Sequence, residues 1–250
     1  MVLNLEIGDS ISDKNCLNVI FINPFPLFTG LHMNFKKIPN VIAISGPQGS
    51  GKGTLMSAVE KRHFDSGMKT FYFDDFKVSR SVQQQLGITR LVEIEDDFNK
   101  MCKFQTMVLA QKVQSLNELK YFHNDAMDFI VTERSFIDIA SYFQLWCMKQ
   151  FNKGTINETQ YFETVEVFSE MCYEAQHELI KMNVIVPMMD HIRFEVDPHR
   201  ASESDLDDFQ EIFMNHVGNT TTEYRFITAE TIEARTDEFF NFLRTDNGWI

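Results

Sequence analysis

Residues 41–54 read VIAISGPQGSGKGT, a β-branched apolar run that breaks directly into Gly46-Pro47-Gln48-Gly49-Ser50-Gly51-Lys52-Gly53-Thr54. Val41, Ile42 and Ile44 suit a buried parallel strand. Gly46, Gly49 and Gly51 let the backbone turn sharply and aim its N–H groups inward, where side chains would obstruct a polyphosphate. Lys52 adds a point charge suited to β- and γ-phosphates, and Thr54 a hydroxyl at the opening of the next helix. A Gly-rich turn that binds nothing is the plain alternative. The strand before the loop and the helical residues Leu55, Met56, Ala58 and Val59 after it weigh against that. The general Walker A motif has Ser or Thr directly after its lysine, whereas here Gly53 intervenes. Thr54 therefore meets either magnesium or a phosphate.

Around this loop, 250 residues suffice for one large α/β domain with a full core. An apolar share of 44% and 24 Phe residues fit a packed globular chain. The net charge is −13 and no Lys/Arg run exceeds two residues, which argues against nucleic acid and anionic membranes as partners. Cys16, Cys102, Cys147 and Cys172 are scattered without metal-ligand spacing, as expected of reduced thiols in a cytoplasmic protein. No segment approaches the ~18 uninterrupted apolar residues of a membrane span. The start, MVLNLEIGDS, has no basic region of the secretory kind. Residues 1–37 read as an N-terminal extension, with a candidate edge strand at 18–22 and another ordinary start at Met33.

Downstream, short apolar strands alternate with helical periods. Strands are expected at 70–73, 128–132, 183–187 and 224–227. Helices are expected to about 65, then over 94–122, 136–152, 158–180, 205–217 and 231–243. The polar segment 190–205 has no hydrophobic period and reads as a loop or lid. This alternation predicts a parallel sheet covered on both faces, in a single domain over 38–250.

Ligands of such sheets sit beyond the carboxyl ends of the strands. The second strand delivers Asp74 and Asp75 there, the third Glu133 and Arg134, and the loop after the fourth Arg193, Asp197 and Arg200. Phosphoryl transfer needs charge neutralisation and in-line positioning. Glu133 suits hydrated magnesium. Asp74 or Asp75 suits the proton of an attacking hydroxyl, or else caps the helix that follows. Glu133-Arg134 has a structural ion pair as its alternative, and Arg193 and Arg200 have solvated surface charge. Arg80 reaches either an acceptor or solvent. His191 and His199 lack a matching metal-ligand set. Trp146 reads as core, while Phe76 and Phe136 stand beside the expected site.

The order GPQGSGKGT, YFDDF, DFIVTERSF-x-D-x-x-x-Y (Asp138, Tyr142) and FEVDPHR resembles the P-loop nucleoside and nucleotide kinase group over about residues 38–243. Within that group the chain looks most like small AAA-type ATP-binding proteins related to nicotinamide riboside kinase domains. Its Gly-Lys-Gly-Thr is similar to the loop of adenylate kinases, and its Glu-Arg-Ser to that of deoxynucleoside kinases. The resemblance implies a three-layer fold with a five-stranded parallel sheet in the order 2-3-1-4-5. It implies donor phosphates on Gly51–Thr54 and Lys52, and Glu133 and Arg134 at the transferring phosphate with Arg200 in the lid. It also implies Asp74 or Asp75 at an acceptor hydroxyl. The deoxynucleoside kinase Glu-Pro after strand two and the long adenylate kinase lid are both missing.

These readings lead to an ATP- and Mg²⁺-dependent kinase of a nucleoside, nucleoside monophosphate or related riboside. Gly46, Gln48, Gly49, Ser50, Gly51, Lys52, Gly53 and Thr54 would bind the donor. Lys52, Asp74, Asp75, Glu133, Arg134 and Arg200 would act in transfer, and Thr54 and Glu133 would face the metal. A nucleotide-driven ATPase or switch coupled to a protein partner is the second reading, and a degenerate nucleotide-binding module the third. Long helices such as 94–122 pair between subunits in related kinases, which makes a homodimer an expectation.

Overall fold

Alternation at every second residue divides the first strand, β1 (Asn40–Ser45), between two cores. The computed structural model describes residues 39–73, 75–122, 127–188 and 203–245. Four more strands, β2 (Thr70–Phe73), β3 (Phe129–Glu133), β4 (Met182–Ile185) and β5 (Glu223–Phe226), join β1 in one sheet ordered β2-β3-β1-β4-β5. Every pairing is parallel, as expected from the sequence. β1 lies at the centre and is buried on both faces, which its continuous apolar run requires.

The helices cover the faces. Val41 and Ala43 pack toward α2 (Asp75–Leu86), α3 (Phe98–Phe122), α4 (Phe136–Asn152) and α5 (Glu158–Leu179), against Val82, Phe104, Val108, Phe143 and Phe168. Ile42 and Ile44 point the other way, to α1 (Lys52–Ser66) and α7 (Ile232–Thr245), against Leu55, Val59, Phe239 and Leu243. A third apolar group seats α6 (Glu203–Gly218) on α4 through Phe209, Phe213, Ile137 and Leu145. Full burial of each large apolar side chain contributes roughly 1.5–3 kcal/mol. Trp146 is core, as expected, and its indole N–H donates to the Glu95 carbonyl at 2.8 Å. Cys102, Cys147 and Cys172 are buried thiols outside any disulfide, and burial pushes the Cys147 and Cys172 thiols up.

Helix boundaries depart from expectation where a cap outranks the apolar period. The helix expected from 94 begins at Phe98, because Asp97 caps it. The Asp97 carboxylate accepts from the Lys100 amide at 3.0 Å and its carbonyl from the Met101 amide at 3.0 Å. Ile94 is buried and keeps the spacing, yet belongs to the segment just after a 3-10 turn over Leu91–Glu93. The helix expected from 205 starts at Glu203, and the strand expected over 183–187 is Met182–Ile185. Among the described residues no helix is long and apolar enough to cross a membrane.

Candidate active site

Two neighbouring strand ends build the site. β3 lies against β1 with Glu133 opposite Ile44, so the residues after β3 emerge beside the phosphate loop that follows β1. The Arg134 amide then donates to the Ile44 carbonyl at 2.8 Å, anchoring the turn out of β3 to β1.

The loop leaves β1 through Gly46, where the backbone takes φ +133°. A Cβ there would stand 2.3 Å from the Val186 carbonyl oxygen, so only glycine fits between β1 and the end of β4. At its far end Gly51 takes φ 92° and opens α1 with no side-chain cap and no acidic residue in the first turn. The positive end of α1 and its first N–H groups are thus directed at the loop, the geometry of an anion site. Ser50 Oγ and Ser45 Oγ are buried without a hydrogen-bond partner among the described residues. Gly53 has open space where a Cβ would stand, and Thr54 is exposed on the first turn of α1.

Lys52 is buried and folds over its own loop, donating from Nζ to the Gly46 and Pro47 carbonyls at 2.6 Å each. Burial lowers its pKa to about 8; Asp138 and Glu133 oppose that shift and Arg134 adds to it. One electrostatic field therefore contains Lys52, Glu133, Arg134 and Asp138. Arg134 is the one non-glycine residue with positive φ among those described, at 64°. Its guanidinium lies 5.3 Å from the centre of the Tyr142 ring. Burial pushes the Tyr142 phenol up to about 12, against the downward pull of Arg134.

Asp138 ties the two strand ends together. One carboxylate oxygen accepts from the Gly46 amide at 3.1 Å. The other accepts from the Ser135 amide at 2.7 Å and the Ser135 hydroxyl at 2.9 Å, completing a capping box at the start of α4.

Of the expected site residues, the structure brings together Gly46–Thr54 with Glu133 and Arg134. α2 begins at Asp75 directly after β2, and Phe73 pairs with Thr132 just before Glu133. Asp74 and the side chains of Asp75 and Phe76 lie outside the described residues. So do His191, Arg193, Asp197, His199 and Arg200, in the segment expected as a lid. Arg80 is exposed on α2. Phe136 is fully buried beneath the Lys112 ammonium, 5.7 Å away, and is core rather than a surface for a base.

Three residues escaped sequence reasoning. Asp138 was visible only as part of a motif. Lys112 is fully buried in α3, at the spacing of Val108 and Leu116, and a lysine inside an apolar stripe was the signal that could have found it. Arg235 of α7 is buried and donates from Nε to the Ala229 carbonyl at 2.9 Å and from Nη1 to the Ser50 carbonyl at 3.2 Å. Nothing local in sequence announces that long-range contact to the loop.

For a metal, the described residues contain no group of three or more His, Cys, Asp or Glu able to hold one. The Thr54 hydroxyl and the Glu133 carboxylate are hard oxygen donors. They fit magnesium held chiefly by phosphates and water rather than by a protein cage.

By sequence, the chain matches no protein-family model and no curated protein. By structure it is similar to deoxyadenosine kinase from M. mycoides, solved with bound dCTP. That match has TM-score 0.54 and 13% identity, covering 82% of this chain and 99% of the other. It is also similar to thymidylate kinase from Candida albicans, with TM-score 0.59 and 13% identity, covering 85% of this chain and 94% of the other. With the sheet order and the phosphate loop, these likenesses show that the chain has the fold of the P-loop nucleoside and nucleotide kinases.

Proposed function

We propose that this protein is an ATP-dependent kinase of a nucleoside, a nucleoside monophosphate or a related riboside. One observation carries the reading: an uncapped, glycine-lined helix N-terminus with a buried lysine stands one strand away from Glu133-Arg134. The loop amides and Lys52 hold the donor phosphates. Arg134, beside the loop, neutralises charge that develops on the transferred group. Glu133 and Thr54 would hold the shell of a magnesium ion bound with the nucleotide, which would supply charge neutralisation at the phosphate oxygens.

Asp74 or Asp75 accepts the proton of the acceptor hydroxyl, and Arg200 comes from the lid over 190–205. Placement of α2 at the end of β2 supports the first role. The domain that carries these roles spans 38–250, with 1–37 as its extension, and it acts on small molecules in the cytoplasm.

ATP consumption, measured across nucleosides and nucleoside monophosphates with and without acceptor, tests this directly. ADP production that depends on an acceptor is the expected result. Hydrolysis indifferent to every acceptor would instead identify an ATPase or switch. Asp74→Asn and Asp75→Asn are then compared separately. If neither slows transfer by more than about tenfold, neither carboxylate is the general base, because such groups contribute 10²–10⁴.

A further inference from the structure

Lys112 occupies a position where the α3 stripe calls for an apolar residue. Its side chain is fully buried, and an ion taken out of water costs several kcal/mol unless it is well paired. Its Nζ donates to the Arg134 carbonyl at 3.0 Å and the Glu133 carbonyl at 3.3 Å, with the Phe136 ring 5.7 Å away. These are the carbonyls of the turn in which Arg134 adopts φ 64°. A non-glycine residue there costs roughly 1–2 kcal/mol and persists only where its surroundings hold it.

The consecutive carbonyls of this left-handed turn both meet the buried Lys112 ammonium. The Thr132 hydroxyl also donates to the Glu133 and Arg134 carbonyls, at 3.2 and 3.4 Å, but a hydroxyl has only one proton to share. The ammonium brings three donors and a charge to the same place. In exchange, the chain can leave β3, bond back to Ile44 and carry the Arg134 guanidinium over Tyr142.

We infer that Lys112 is a positioning residue: it holds Arg134 in its left-handed conformation from inside the core and so sets the guanidinium at the phosphate loop. The consequence for turnover rests on the kinase reading; the structural coupling does not.

Two measurements test this on the full chain. The first is a urea-unfolding cycle of Lys112→Met, Arg134→Gly and the double variant. Glycine takes positive φ without penalty, so Lys112→Met should lower the midpoint less than half as far on the Arg134→Gly background. Equal lowering on both backgrounds would overturn the inference. If Lys112→Met fails to fold alone but folds with Arg134→Gly, the coupling is established. If neither folds, Lys112→Gln replaces it in the cycle, with the same two outcomes.

The second is kinetic. Lys112→Met, or Lys112→Gln where that replaces it, should lower kcat for acceptor-dependent ATP consumption at least tenfold. The KM for ATP and the Kd for fluorescent mant-ATP should stay within threefold. An unchanged kcat would overturn the inference, as would a loss confined to KM. If the native chain shows no acceptor-dependent turnover, the kinase reading has failed, and the unfolding cycle alone decides the role of Lys112.

Discussion

At the scale of single residues, two glycines of one loop make opposite demands. Gly46 faces the Val186 carbonyl, so Gly46→Ala forces a backbone shift. It should destabilise by about 1–3 kcal/mol or more in urea unfolding. Gly53 lies inside α1, and a methyl group added there would meet nothing within 4 Å. Gly53→Ala should therefore stabilise by a few tenths to about 1 kcal/mol, while ATP affinity falls if the donor phosphates pass over that surface. Titration calorimetry beside thermal unfolding reads both effects.

Lys52 gives a pH signature. Its pKa near 8 in the free protein should rise when phosphates approach, so binding takes up a proton above pH 8. Through Lys52, ATP affinity should weaken about tenfold per unit well above pH 8. Lys52→Ala should remove that slope and reduce turnover by at least about 10². Its unfolding midpoint should be no lower than that of the native chain.

At the scale of elements, the junction of β1, β3 and α4 hangs on Asp138. Asp138→Ala strips the Gly46 and Ser135 amides of a buried carboxylate acceptor and removes half of the α4 capping box. A loss of about 3 kcal/mol in urea unfolding is expected, and an Asn in its place should recover part of it.

What was legible in sequence follows the same division. β1, the loop, α4 and the β3 end were readable because hydrophobic period and glycine spacing are local signals. The start of α3 was not, because Ile94 keeps the helical period although the helix starts only after the Asp97 cap. Lys112 stands out as a lysine in an apolar stripe, but its role, like that of Arg235, was illegible for another reason. Their partners, the Arg134 and Ser50 carbonyls, are 22 and 185 residues away in sequence. The carboxylates of Asp74 and Asp75 and the arginine of the expected lid, Arg200, lie outside the described residues.

At the scale of the whole molecule, a buried histidine sits on each side of the sheet. His63 of α1 stacks on Phe129, meets the Phe240 ring edge-on and bonds to the Tyr72 hydroxyl. His216 of α6 bonds to the Tyr173 hydroxyl at 2.6 Å. Burial lowers both pKa values from 6.5 to about 4. Between those values the unfolded chain binds more protons than the folded one, so stability is full above pH 6.5 and is lost as pH falls through 4. Phe variants at both positions should flatten the fall in Tm across that window, beyond what the carboxylates contribute.

A kinase passes the γ-phosphoryl group of ATP to an acceptor, and [γ-³²P]ATP follows that group. Incubated with the full chain, Mg²⁺ and a panel of nucleosides, ribosides and nucleoside monophosphates, the label should appear on one acceptor class. Lys52→Ala should abolish that transfer. Label released as inorganic phosphate at the same rate with every acceptor and with none would contradict a kinase.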